Sequence, residues 1–331
     1  MTAELSGLPT ASPECPSWDG GVLSPPCSGS VAGAAYLLQQ RFRYDYASAV
    51  HHLWHRLVVV PPAVHGDQRR VDHRLTVTGA PALVSVGSDG FANHVVDVRV
   101  AAIDEFIEFE TWSVVRRGSP GAVTTVRPSA LRDPRLLAST ALTRADGLLA
   151  EVAASLVAAR RRGRGAGGGG PGAMELAEQA CAWTRGALTY AYDATTVRTT
   201  AAEAVAGGRG VCQDFAHVML AVCRAAGLPA RYVSGHLVGE GGSHAWVEVV
   251  VADPTRPGQA EAVAFDPTHD RRVGEGYLTV AIGRDYLDVA PTSGRFDRGG
   301  PGVLTSAKRL SLVTADAEVG RPVWLTGAAN R

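Results

Sequence analysis

Charge of one sign is what this sequence most plainly lacks: 32 Lys and Arg balance 32 Asp and Glu, a formal net charge of zero. No overall field draws the chain to nucleic acid or to an anionic membrane, and neither is expected as a partner. Long apolar runs are also missing, and none approaches the ~20 continuous residues that a membrane-spanning helix requires. Cysteine is sparse, 5 in 331 residues, and an odd number in a chain this long does not build a disulfide framework. A reducing, cytoplasmic setting is the expectation. The first thirty residues, rich in Pro, Ser and Gly, have neither a basic n-region nor an apolar h-region. No export signal is visible there, and 1–33 reads as a disordered tail.

The length predicts two packed units, or one large unit with appendages, and what is present suggests two. Residues 34–127 alternate apolar and polar positions in "RFRYDY", "LWHRLVVVP", "RRVDHRLTVTG", "ALVSVGSDGFANHVVDVRV" and "EFIEFETWSVV". Period-two apolarity broken by Gly, Pro and Ser-Asp-Gly turns predicts antiparallel strands with one buried face. His51, His52, His55, His65, His73 and His94 are frequent in this part but not at ligand spacing on one face, so no metal is expected there. In the second unit, 128–331, helical spacing over Pro134 to Arg162 runs into "RRRGRGAGGGGPG", whose glycines make a flexible loop at 163–172. That loop lacks the Gly-Lys-Ser/Thr ending of a phosphate cradle. A further helix is predicted from Ala173 to Thr189.

The chemistry concentrates in "GRGVCQDFAHVMLAVCRAAGLPARYVSG". Phe215, Met219, Val222 and Ala226 recur at helical spacing, and Gly227 and Pro229 supply the stop, so Cys212 stands in the first turn of a helix. Unsatisfied N–H groups and the positive end of the helix dipole favour a thiolate there. Cys223 falls on the apolar stripe and reads as core. A thiolate nucleophile needs a proton shuttle. "SHAWVEVVVAD" predicts a strand opening at His244, and "EAVAFDPTHD" the next strand, closing at Asp266. In an antiparallel hairpin those two ends are neighbours, so Asp266 is the carboxylate that orients the His244 imidazole. The similar "ADPT" at Asp253 falls at the hairpin turn, far from His244. His217 points about 140° away from Cys212 around the helix. His236 and His269 flank the site as possible substrate contacts. No CxxC or HxxxH pair supports a zinc reading of Cys212, His244 and Asp266.

The stretches "AAEAVAGGRGVCQDFAHVMLAVCRAAGLPARYVSGHL", "SHAWVEV", "FDPTHD" and "VAIGRDYLDVAPTSG", in that order, resemble the core of bacterial transglutaminase-like proteins. The segment from about Tyr36 to Val115 resembles the β domain that precedes this core in the family. The resemblance implies an α+β architecture: an N-terminal antiparallel β domain, then a papain-like, transglutaminase-like core with a catalytic helix packed on an antiparallel sheet. It implies a cysteine, histidine and aspartate triad at Cys212, His244 and Asp266, and acyl transfer through a thioester, with no cofactor. The sequence departs from similar proteins beside the aspartate. Ala264 and Phe265 stand where Trp is frequent, and His269 where Asn is frequent.

One oxyanion donor is expected from the Cys212 backbone N–H. A second should come from upstream, where Tyr190, Tyr192 and Trp183 are candidates and Tyr192 is preferred as part of the extended stretch before the helix. Gln213, also near the cleft, is expected with Asp214 to cap the helix, while Arg284, Asp285 and Tyr286 are expected to buttress or line the cleft. The expected partners are a peptide, protein or small amide substrate and, for a transferase, a primary amine. The competing class is a catalytically idle binding or scaffold protein that keeps the fold.

Overall fold

The computed structural model describes residues 3–4, 34–118, 124–165 and 172–313. Alternating side chains build β1 (Ala35–Asp45), β2 (Val50–Val60), β3 (Gln68–Thr78), β4 (Ala82–Ser88), β5 (His94–Ile103) and β6 (Phe106–Arg117). Their apolar phase, including Phe42, Leu53, Leu57, Val98, Ile107 and Phe109, forms a core between two antiparallel sheets. Of the predicted tail only Ala3–Glu4 is described, paired with Phe296 and Arg295. The rest of 1–33, and residues 166–171 of the Gly-rich segment, lie outside the described residues.

After β7 (Thr124–Val126) the long helix predicted over Pro134 to Arg162 is interrupted. Asp133 caps a single turn at Pro134–Leu137, the Thr143 hydroxyl takes the Thr140 N–H at 3.0 Å, and Gly147 turns the chain at φ +54°. Side chains that bond the backbone locally compete with helix here. The helix resumes as α1 (Leu148–Gly165) and is followed by α2 (Ala173–Ala187), β8 (Thr189–Tyr190), α3 (Ala201–Gly207) and β9 (Arg209–Gly210).

α4 (Cys212–Ala225) is central, with Gln213 through Arg224 all buried. A helix apolar nearly all round must be covered on every side. Leu149 of α1, Leu176 and Cys181 of α2 and Ala204 of α3 share its core with Tyr232, Val247, Val249 and Phe265 of a sheet. That sheet holds β10 (Ala230–Leu237), β11 (His244–Ala252), β12 (Ala260–Asp266) and β13 (Tyr277–Gly283) in the order β12-β11-β10-β13, all antiparallel, with β7 added beside β12. The whole is the α+β arrangement expected: strands first, then a helix-on-sheet core.

The chain after α5 (Tyr286–Val289) corrects the boundary drawn from sequence. β14 (Thr292–Phe296) pairs with β2, and β15 (Val303–Val313) pairs with β1 over eleven residues, so this part of 128–331 belongs to the N-terminal sheets. Alternation marks such segments as strands but does not name their partner. The two units are also joined by side chains. The Gln68 carboxamide takes the Thr279 N–H (2.9 Å) and donates to the Thr279 carbonyl (2.8 Å), and Asn93 does the same for Ile282 (2.8 and 2.6 Å). Each amide stands in for a neighbouring strand along β13. Buried Glu248 of β11 is held by His65 (2.6 Å) and Arg231 (2.7 Å). Burial would raise its pKa, but the Arg231 guanidinium and the hydrogen-bonded His65 prevail and bring it down to about 2.

Candidate active site

The start of α4 depends on Gly210. A Cβ there would lie 2.6 Å from the Asp214 side chain. The missing methyl lets Asp214 Oδ2 reach back to accept the Val211 N–H (2.8 Å) and the Thr195 hydroxyl (2.6 Å). Cys212 then begins the helix, half-buried, with the N-terminal end of the dipole behind its sulfur. Asp214 caps as expected, while the Gln213 amide donates to the Val197 carbonyl at 3.3 Å. At the other end of α4, the buried Arg224 guanidinium donates to the carbonyls of Ala230 and Arg284 and to the Thr143 hydroxyl.

The hairpin has the expected register. Val247 faces Phe265 and Ala252 faces Ala260, so the ladder carries His244, just beyond it, to Asp266. His244 Nε2 lies 2.8 Å from Asp266 Oδ2, and His244 is also hydrogen-bonded to Cys212. A carboxylate only accepts, so Nε2 carries a proton and Nδ1 is the nitrogen left for the sulfur. Burial disfavours the imidazolium, yet the bonds to Asp266 and Cys212 outweigh it and push the pKa up to about 10. Burial likewise works against the Asp266 charge. Hydrogen bonds from His244, Tyr277 and His269 prevail and hold the carboxyl well below its usual range.

Three neighbours of this pair were not assigned their roles from sequence. The Tyr277 hydroxyl donates to Asp266 Oδ2 at 2.6 Å and itself accepts from Arg271 Nε at 2.9 Å. His269 Nδ1 donates to the same oxygen at 2.7 Å, and the Thr268 N–H takes Oδ1 at 2.9 Å. Glu240 stands 3.3 Å from His244 Nδ1 and 3.5 Å from His269 Nε2. The pattern thus closes a ring of two carboxylates and two imidazoles. A signal for Tyr277 existed: it opens the strand after "FDPTHD", and β10 brings that strand's first residue back beside Leu237.

The remaining candidates separate cleanly. Asp253 holds the turn, accepting from Thr255 N–H (2.8 Å) and Arg256 Nε (2.6 Å), away from His244. His217 is buried, accepts the Tyr286 N–H at 3.2 Å, and burial lowers its pKa to about 3. His236 is buried and bonded to the Gly242 carbonyl at 3.0 Å. Asp285 caps α5 through Leu287, and Arg284 pairs with Asp288. Trp183 packs against the helix core, and Cys223 is fully buried, its thiol pushed up to about 12 by burial. Tyr192 is 78% and Tyr190 40% exposed. Burial first, then the charge at Cys212 and a hydrogen bond with Tyr192, keep the Tyr190 hydroxyl protonated.

His244, Asp266 and His269 offer ligand atoms within 4.8 Å of one another. Asp266 Oδ2 is already taken up by hydrogen bonds from both imidazoles and from the Tyr277 hydroxyl.

The transglutaminase-like superfamily matches residues 160–259, and the bacterial transglutaminase-like N-terminal region matches residues 36–116. The chain belongs to the transglutaminase-like superfamily. It is 30% identical over 306 residues to an uncharacterized protein of Mycobacterium tuberculosis, covering 82% of this chain and 90% of that one. A Mycobacterium leprae protein is 40% identical over 131 residues, 37% of this chain and 44% of the relative. The fold is shared with a crystallised candidate cysteine protease from Cytophaga hutchinsonii, at 19% identity and a TM-score of 0.58, covering 89% of this chain and 95% of that one.

Proposed function

We propose that this protein is a thiol-dependent acyl-transfer enzyme acting on amide bonds, with Cys212 as nucleophile, His244 as proton shuttle and Asp266 as orienting carboxylate. The observation that carries this reading is the hydrogen-bonded string from Asp266 through His244 to a cysteine at a helix N-terminus. In this reading the Cys212 thiolate attacks the acyl carbonyl carbon, and the new oxyanion takes hydrogen bonds from the Cys212 N–H and the Tyr190 hydroxyl. As the C–N bond breaks, imidazolium His244 gives its Nδ1 proton to the departing amine, leaving a thioester on Cys212. Water or a second amine then loses its proton to His244 and attacks the thioester, and the C–S bond breaks to restore the thiolate. Neither a metal nor an organic cofactor enters these steps.

The test is a peptide library incubated with the protein and a labelled primary amine, read by mass spectrometry. Products that gain amine identify a transferase, and products that gain water a hydrolase. Cys212→Ala should abolish both while unfolding remains cooperative. No turnover, together with a thiol probe that labels Cys212 no faster than the other cysteines, would favour the idle scaffold instead.

A further inference from the structure

β4 is the outermost strand of its sheet. Its seven residues all pair with β5, from Ala82 opposite Val100 to Ser88 opposite His94, and no described strand pairs with its other side. Soluble proteins ordinarily blunt such an edge with charge, proline or a bulge. The β4 sequence, ALVSVGS, has no charge and no proline, and its register runs unbroken. Its apolar side chains remain in water: Leu83 is 77%, Val84 49% and Val86 63% exposed.

Both faces of this edge are hollow. Val84 and Val86 stand opposite buried Val98 and Val96, on the inward side of the sheet. They are uncovered because a cleft of about 510 Å³ separates them from Leu75 and Val77 of β3. The outward face has a second cleft of about 440 Å³ beside Leu83, Trp54 and Arg99. Apolar surface on both sides of one unpaired edge suits an added strand, whose backbone supplies affinity and whose alternate side chains supply specificity.

Charge selects the occupant. Arg295, Trp54, Arg99 and Leu83 stand opposite one another across four strands, and Arg56, Asp97 and Ser85 form the next row on the same face. Arg295 and Arg56 lie 4.7 and 5.3 Å from the Trp54 ring. Arg56 holds Asp97 at 3.1 Å, Glu4 stands opposite Arg295 at the far end of the first row, and no ion pair engages Arg99 among the described residues. A second copy of this face would add arginines to arginines, whereas carboxylates would neutralise them. A strand added beyond β4 lies two strand spacings, about 10 Å, from β5, a gap that a glutamate and an arginine side chain span together. We infer that β4 is the docking edge for an extended segment of another polypeptide that alternates apolar and acidic residues. The apolar residues turn into the cleft against Val84, Val86, Leu75 and Val77, and the acidic ones turn outward toward Arg99.

The test uses the full chain and fluorescein-labelled heptapeptides read by anisotropy: alternating valine and glutamate, the same with lysine for glutamate, and the glutamate peptide with a central proline. The glutamate peptide should bind saturably and at least ~10-fold more tightly than either other peptide, the sum of a few cross-strand charge pairs. Val86→Glu, at an exposed position, should weaken it by ~10-fold with an unchanged circular dichroism spectrum, and Arg99→Glu should remove or reverse the preference for glutamate over lysine. Equal binding of the two charged peptides, or no binding of any, overturns the proposal. So does a dimer in sedimentation that Val86→Glu dissociates, which would make a second copy the occupant.

Discussion

Asp266 gathers three hydrogen bonds on one oxygen, so its replacement by asparagine removes charge while keeping shape. In a serine triad that change costs about 10⁴ in turnover. A thiol is more acidic than a hydroxyl and keeps part of its reactivity, so Asp266→Asn here is expected to lose on the order of 10² to 10³, with circular dichroism unchanged. Asp253→Asn, at the far turn, should stay within about two-fold of wild type in the same assay, a surface change with no tie to the site. The same residue sets a pH signature. His244 titrates near 10 instead of its ordinary 6.5, so its contribution to stability is complete below 6.5 and is lost as pH rises through about 10. Asp266, shifted down, contributes above its ordinary 3.8 and loses that contribution as pH falls. Imidazole NMR should find His244 still charged at pH 8, and Asp266→Asn should bring its titration back toward neutrality. A wild-type His244 that is neutral at pH 8 would break the ion-pair reading.

At the scale of elements, the helix that carries Cys212 is positioned from outside itself. Gly210→Ala would drive a methyl into Asp214, undo the cap on Val211 and shift the first turn of α4. Overpacking of this kind costs about 1–3 kcal/mol, and because the displaced turn carries the nucleophile, activity should fall more than the melting temperature suggests. Urea unfolding beside a rate assay checks this. The helix, the hairpin and the meeting of Cys212, His244 and Asp266 were legible because each follows from a local rule: a stop signal, an apolar period, antiparallel ends. Glu240, His269 and Tyr277 could be seen as residues but not as neighbours. Their encounter depends on the loop between β10 and β11 and on which strand flanks β10, and neither leaves a trace in local periodicity.

Across the whole molecule the same limit appears in the return of β14 and β15 to the N-terminal sheets, where alternation announced strands and long-range pairing chose their place. The two carboxamides on β13 add a chemical dimension to that joint. Each works because an amide is donor and acceptor at once; a carboxylate is acceptor only. Spontaneous loss of ammonia from Asn93 would set an oxygen where Nδ2 now donates to the Ile282 carbonyl, two acceptors facing across 2.6 Å in a buried seam. Asn93→Asp reproduces that aged state and should cost about 1–3 kcal/mol or more in urea unfolding, the penalty of an unsatisfied buried group. An unchanged midpoint would mean that the seam yields without cost. Were Asn93 converted to aspartate, the two units should part at this seam before either has lost its own core.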